Sequence, residues 1–216
     1  MTEDSILSPG TPEDAAYESE TRRLLERPYL QATDPRGQSG FRGDSLRWKR
    51  ARGPIVRALD RDGTFLDVGC ANGLLMESIT GWAGEEGFRI ESYGLELIDS
   101  LAVLARRRLP HLSHRIFTGN AMLWRPPFRF DLVRTELEYA PHHRRREMVG
   151  KMLRQYLAPG GRLILCSYGS SGRQAPKTEP VAEILRSWGY EVLGQAEGVD
   201  KNGVVIIRIA WIDANR

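Results

Sequence analysis

The chain has 216 residues, 41% hydrophobic and 27% charged, which suits one globular domain of ordinary size with an appended segment. No stretch reaches the roughly 18 consecutive apolar residues of a membrane helix, and the acidic start Met1-Thr2-Glu3-Asp4-Ser5 lacks the apolar core of a secretory leader. The net charge of +3 is too small to demand a nucleic-acid partner, although arginine gathers in Arg42 to Arg57, Arg106 to Arg108 and Arg144 to Arg146.

The last two Arg clusters fall on predicted helices, where a solvated face is expected. Cys70 and Cys166 sit in apolar contexts and make no metal pattern. Both are read as reduced thiols, which points to a cytoplasmic protein without a bound metal.

Residues 1–43 are rich in Pro, Gly, Ser, Thr and acids and form an N-terminal extension. Thr11-Pro12-Glu13-Asp14 opens a helix over Pro12 to Arg27. Its apolar points are only Ala15, Ala16, Leu24 and Leu25, so the extension is expected to be partly flexible or to order as a lid over substrate. Residues 44–216 form the main domain. Asp44 to Leu59 reads as a helix with Leu46, Ile55, Val56 and Leu59 inward, broken or kinked at Pro54, with Trp48 packing on the sheet edge.

Alternating units follow. Thr64 to Val68 is a strand, succeeded by a helix with Leu75, Ile79 and Trp82 on one face. Arg89 to Glu96 is a second strand, and Asp99 is expected to cap a helix reaching Leu109 with Leu101, Leu104 and Ala105 inward. His114 to Gly119 and Phe130 to Leu137 are further strands, and Arg144 to Leu157 a helix. Pro159-Gly160-Gly161 turns into a fifth strand, Arg162 to Ser167, followed by a Ser/Gly loop through Gly172 and a helix around Pro180 to Trp188. Tyr190 to Ala196 and Gly203 to Ile212 have no helix between them, so they form an antiparallel hairpin. The alternation predicts an α/β doubly wound, mostly parallel seven-stranded sheet with helices on both faces, ending in that hairpin.

The turn after the first strand carries the chemistry. It reads Asp67-Val68-Gly69-Cys70-Ala71-Asn72-Gly73. A dinucleotide fingerprint Gly-x-Gly-x-x-Gly fails at Ala71 and Leu74, and no Lys-Ser or Lys-Thr pair completes a phosphate loop. An acid at the strand end suits an ammonium or sulfonium charge better than a pyrophosphate. The stretch resembles the cofactor loop of the class I S-adenosylmethionine-dependent methyltransferases, with Ala71 at the middle glycine. Ala71 is expected to keep a negative φ, because its methyl group disfavours the left-handed region.

The resemblance covers about residues 60–212 and implies the seven-stranded Rossmann-like fold and S-adenosyl-L-methionine as cofactor. It implies cofactor contacts at Asp67, Gly69, Cys70, Ala71 and Gly73. Glu96, with Leu97 beside it, stands where an acid accepts from both ribose hydroxyls. Asn120, with Ala121, replaces the acid that accepts from the adenine amino group, and Met122 or Leu123 packs on the adenine. Glu136 or Glu138 orients the ammonium of the cofactor or an amine substrate. The Asn/Asp-Pro-Pro-Tyr/Phe motif of base-amino methylating enzymes is absent. Glu138, Tyr139 and His142 are therefore the catalytic candidates, with His142 as base and His143 as a lesser candidate. Tyr168 is assigned to a substrate wall.

The reading is a methyltransferase that moves a methyl group to an O or N atom of a small-molecule acceptor by in-line displacement, as a monomer or homodimer. The alternatives are an RNA or protein methyltransferase using the Arg-rich surface, and a non-catalytic domain that binds the cofactor or a partner. A nicotinamide dehydrogenase is disfavoured by Ala71, Leu74 and the final hairpin.

Overall fold

A computed structural model describes residues 11–170 and 176–215. Ser171 and Gly172 of the predicted Ser/Gly loop lie outside the described residues. The strands are β1 (Gly63–Val68), β2 (Ile90–Glu96), β3 (Ile116–Thr118), β4 (Phe130–Glu136), β5 (Leu157–Tyr168), β6 (Gly194–Val199) and β7 (Val205–Asp213). They form one sheet in the order β3-β2-β1-β4-β5-β7-β6. Pairing is parallel from β3 through β5, and β7 runs antiparallel to both β5 and β6. The chain winds outward from β1 to β3, then returns to β4 on the other side of β1. The topological switch, where doubly wound sheets bind ligands, therefore lies between β1 and β4.

Side-chain alternation divides the core between two faces. Phe65, Leu132 and Ile164 are buried on one side with Leu75 and Ile79 of α3 (Leu74–Glu85) and with Trp48 and Ala51 of α2 (Ser45–Arg52). Cys70, Met76 and Ile116 continue this layer beneath α4 (Asp99–Arg108). Leu66, Val133, Leu163 and Leu165 face the opposite side, against Met148 and Val149 of α5 (Arg145–Lys151) and Val181 and Leu185 of α6 (Val181–Ser187). No helix among the described residues is long and apolar enough to cross a membrane.

Several boundaries differ from expectation. The N-terminal helix α1 runs from Pro12 to Gln31, one turn beyond Arg27, with Pro28 tolerated near its end. Its start is the predicted one: Thr11 Oγ1 accepts from the Asp14 N–H at 3.2 Å while the Asp14 carboxylate accepts from the Thr11 N–H at 2.6 Å. Pro54 divides the next helix into α2 and a 3-10 stretch over Gly53–Ala58, and Leu46 is exposed. Asp99 is the first residue of α4 and does not cap it; Ile98 occupies the cap position with no side-chain bond. The helix predicted over 144–157 is α5 followed by a wide π-turn over Met152–Tyr156.

Strand β5 begins at Leu157, so Pro159-Gly160-Gly161 lies within it as an irregularity opposite Phe130 and Leu132. A Cβ on Gly161 would stand 2.9 Å from the Asp131 carbonyl oxygen, which explains the glycine there. The final hairpin is shifted toward the C-terminus, with Tyr190 to Leu193 outside the sheet ladder.

Candidate functional site

A cavity of about 590 Å³ opens at the C-terminal ends of β1, β2 and β4, beside the loop that follows β3. That volume lies within the range typical of small-molecule sites. Helix α1 contributes one wall through Tyr17, Glu18, Thr21 and Leu25. No residue of α1 is fully buried, because its inner face looks into the cavity rather than onto packed core.

The turn after β1 forms the floor. Gly69 has φ +76°, and a Cβ there would stand 2.4 Å from the Tyr139 ring. Gly73, also at φ +76°, caps α3. The expectation for Ala71 is corrected: its φ is +47°, the left-handed region. Its N–H donates to Glu96 Oε2 at 2.7 Å, a charge-assisted bond that holds the backbone there against a cost of about 1–2 kcal/mol. Glu96 is buried, and its Oε1 accepts from the Ile98 N–H at 2.9 Å. Burial raises its carboxyl pKa, with the backbone N–H groups of Ile98 and Ala71 opposing that shift. Each oxygen keeps accepting capacity for a ligand hydroxyl. Cys70 and Leu97 also line the cavity; burial pushes the Cys70 thiol well up.

Asn120 follows β3. Its Oδ1 accepts from the Met122 N–H at 2.7 Å, and its Nδ2 donates to Glu18 Oε2 of α1 at 2.8 Å. Ala121 and Met122 are buried in the cavity wall, while Leu123 is exposed. The loop is pinned from below. Tyr156 Oη donates to the Ala121 carbonyl, and the fully buried Lys151 Nζ donates to the carbonyls of Met122 and Trp124, each at 2.8 Å. Burial lowers the Lys151 pKa to about 8.

The opposite end is built around a residue that sequence reasoning passed over. Arg134 on β4 pairs with Asp67 across the sheet register and lies two residues before Glu136, so all three project from one face. Its guanidinium donates to Asp67 Oδ1 at 3.1 Å, the Val68 carbonyl at 3.2 Å, Tyr168 Oη at 2.9 Å and the Glu136 carboxylate. The Arg134 Nε is buried without a partner among the described residues. Asp67 thus shares Arg134 with Glu136, and it also lines the cavity. Burial pushes the Asp67 pKa up to about 6 against the pull of Arg134.

Burial also opposes the charge of Glu136, but Arg134 and hydrogen bonds from Glu138 and Tyr139 hold its carboxyl below the ordinary range. Tyr139 donates to Glu136 Oε1 at 2.6 Å, and burial first, then the Glu136 charge, push its phenol well up. Tyr139 is therefore a donor and not a base. Glu138 stands exposed at the rim, with its backbone carbonyl accepting from Tyr17 Oη of α1. A hydrogen bond shared with the Glu136 carboxyl, first of all, raises its pKa to about 8.

His142 does not meet its assignment. It is exposed at the start of a 3-10 turn over His142–Arg144 and is not among the residues lining the cavity. His143 is exposed as well, 3.7 Å from Glu13. The solvated-face expectation fails in part: Arg144 is buried between Asp14 and Glu147, Arg106 bonds the Ile116 carbonyl, and Arg108 bonds Glu77. Trp48 is buried, donates Nε1 to Ser78 Oγ at 3.0 Å, and also lines the cavity. Tyr168 lines it too, with the Arg52 guanidinium 3.4 Å above its ring.

No family model and no curated protein matches this sequence. Solved structures match the fold over nearly the whole chain. One is the N-methyltransferase NodS of Bradyrhizobium japonicum WM9 in complex with S-adenosyl-L-homocysteine, at 15% identity and TM-score 0.62, covering 91% of this chain and 99% of that one. Another is the 1,6-didemethyltoxoflavin N1-methyltransferase of Burkholderia thailandensis with bound 1,6-didemethyltoxoflavin and S-adenosylhomocysteine, at 16% identity and TM-score 0.62, covering 99% of this chain and 93% of that one. A third, the cyclase SpnF, matches at 16% identity and TM-score 0.62, covering 92% and 97%. The chain has the class I, Rossmann-like methyltransferase fold.

Proposed function

We propose that this chain, built on that fold, is an S-adenosylmethionine-dependent methyltransferase that methylates an O or N atom of a small-molecule acceptor. One observation carries the reading. One cavity at the switch between β1 and β4 joins a half lined by the Gly69–Ala71 turn, Glu96 and Asn120 to a polar half lined by Glu136, Glu138 and Tyr139.

The residues fit the cofactor. The missing Cβ of Gly69 lets the Tyr139 ring pack on the turn, both of them lining the cavity, and Glu96 presents free acceptor capacity to a ribose diol. Asp67 and Glu136 together outweigh the single Arg134 charge that they share, which suits the ammonium of an amino acid or an amine acceptor at this end of the cavity. S-adenosylmethionine supplies, when bound, an electrophilic methyl group on a sulfonium. The chain's own part is to align the acceptor, to exclude water with α1, and to hold protons where they are needed. Tyr139 remains a hydrogen-bond donor, and Glu138 is the group able to accept a proton from the acceptor once it has lost its own near pH 8. In this reading the N-terminal extension closes the cavity as a lid through α1, and residues 44–216 are the methyltransferase domain of a cytoplasmic protein.

The toxoflavin enzyme is named for a small molecule methylated at nitrogen, which favours a small-molecule acceptor. SpnF is named as a cyclase, and this supports a second reading in which the same cavity binds its ligands without methyl transfer. The internal pairing of Arg106, Arg108 and Arg144 speaks against the RNA alternative. Calorimetric titration with S-adenosylhomocysteine tests the cofactor, and methyl-labelled cofactor offered to metabolite, RNA and protein fractions tests the acceptor. No heat of binding would overturn the proposal. Binding without label transfer would favour the second reading, and label in RNA or protein would replace the acceptor class.

A further inference from the structure

Among the carboxylates that line the cavity, most are held by fixed partners. Asp14 is held by Arg144, Asp67 and Glu136 by Arg134, and Glu96 by two backbone N–H groups. Glu18 differs. It comes from α1, is half-buried, and touches the loop after β3 through Asn120. Its Oε1 accepts twice from Arg22, at 3.2 and 3.0 Å. Its Oε2 accepts only from Asn120 Nδ2 at 2.8 Å and so keeps a lone pair for a further donor.

We propose that Glu18 is the carboxylate that accepts from the exocyclic amino group of the bound adenine, a role taken across the cavity by the N-terminal helix. This rests on the cofactor reading above. A ribose held at Glu96, on the end of β2, with its reacting group toward β4 must place its base on the β3 side. There the wall is Asn120, Ala121 and Met122, facing Glu18. The Asn120 oxygen accepts from the Met122 N–H and is a neutral acceptor, and its amide hydrogens are donors, as are those of adenine. Asn120 therefore orients the Glu18 carboxylate, and the carboxylate meets the base. A charged acceptor is also the stronger one. Tyr156 and Lys151 fix the Asn120 loop from below, so the position of Glu18 is set by a rigid partner. Cofactor binding then requires α1 to be seated, which joins recognition of the base to closure of the cavity.

The test uses the full chain and two ligands, S-adenosylhomocysteine and S-inosylhomocysteine, which carries a 6-oxo acceptor in place of the 6-amino donor. Their calorimetric affinities are measured in the wild type, Glu18→Ala and Glu18→Gln, with melting curves to confirm folding. The expected result is a wild-type preference for the adenosyl ligand and a loss of about ten- to a hundredfold for it in Glu18→Ala. The inosyl ligand should be unaffected by Glu18→Ala and bound at least as well by Glu18→Gln, whose amide can donate to the 6-oxo group. Equal losses for both ligands would mean that Glu18 only seats the helix, and unchanged affinity for both would mean that it does not meet the base; either overturns the proposal. A wild type that binds neither ligand would overturn the cofactor reading itself.

Discussion

Replacing Arg134 with Met removes the cation that hydrogen-bonds both buried carboxylates, Asp67 and Glu136. Asp67 is 1% exposed and Glu136 is 7% exposed, and Arg134 itself is 2% exposed. Breaking one buried ion pair by removing a partner typically costs about 3–5 kcal/mol, because the remaining charge is left uncompensated. Here two carboxylates are left, but they can limit the damage by taking up a proton, so we expect a loss of about 3–5 kcal/mol rather than twice that. That is a large share of the roughly 5–15 kcal/mol that holds a domain folded.

The pH dependence distinguishes this cause from a packing defect. In the wild type Glu136 is held below its ordinary pKa, so its contribution is present above the unfolded value and is lost as pH falls. In Arg134→Met both carboxyls should be pushed up, so stability is retained at low pH and lost as pH rises through their new values. Urea unfolding should therefore show a deficit that grows between pH 5 and pH 8. Adding Asp67→Asn to Arg134→Met should recover part of it, which a double-mutant cycle would read as coupling. A deficit under about 1 kcal/mol, or one equal at pH 5 and pH 8, would refute the charge argument.

Glu96→Ala should weaken S-adenosylhomocysteine by about 1.5–3 kcal/mol, as the loss of hydrogen bonds to a charged group does; unchanged calorimetric affinity would remove Glu96 from the site. Ala71→Gly relieves a left-handed alanine at φ +47° and should leave stability unchanged or raise it by up to about 1 kcal/mol. A clear drop in melting temperature would mean that the methyl group packs better than the strain costs. If Glu138 takes the acceptor's proton, the rate should climb as pH passes about 8, where its carboxyl ionises, and Glu138→Gln should abolish that limb of the profile. His142→Ala should leave turnover within about twofold of wild type, since surface substitutions away from a site have small effects; a tenfold loss would place His142 in the chemistry after all.

The sequence by itself determined the strand–helix alternation, the bend at Asp67-x-Gly69 and the terminal hairpin. Those features follow from local rules: apolar periodicity, glycine freedom and the short spacing before β7. The Thr11-Pro12-Glu13-Asp14 helix start is equally local, and α1 begins there. A lid was one of two expectations for this segment, but which face of α1 would line a cavity was not legible. Its weak apolar face is that of a wall around a cavity, and only the fold shows which side the cavity is on. The partner of Asp67 was hidden for a similar reason. Arg134 and Glu136 share a face by simple alternation, but only the register between β1 and β4 sets them beside Asp67. Ala71 was misread because its conformation answers to Glu96, 25 residues away, and not to its own propensity. His142 looked chemical in a linear string, yet the turn that carries it points to solvent. Glu18 and Asn120, 102 positions apart, meet only because the N-terminal helix folds across the strand ends. Local chemistry wrote the elements; the pairing of buried charges, which no window of sequence contains, was decided by the tertiary structure.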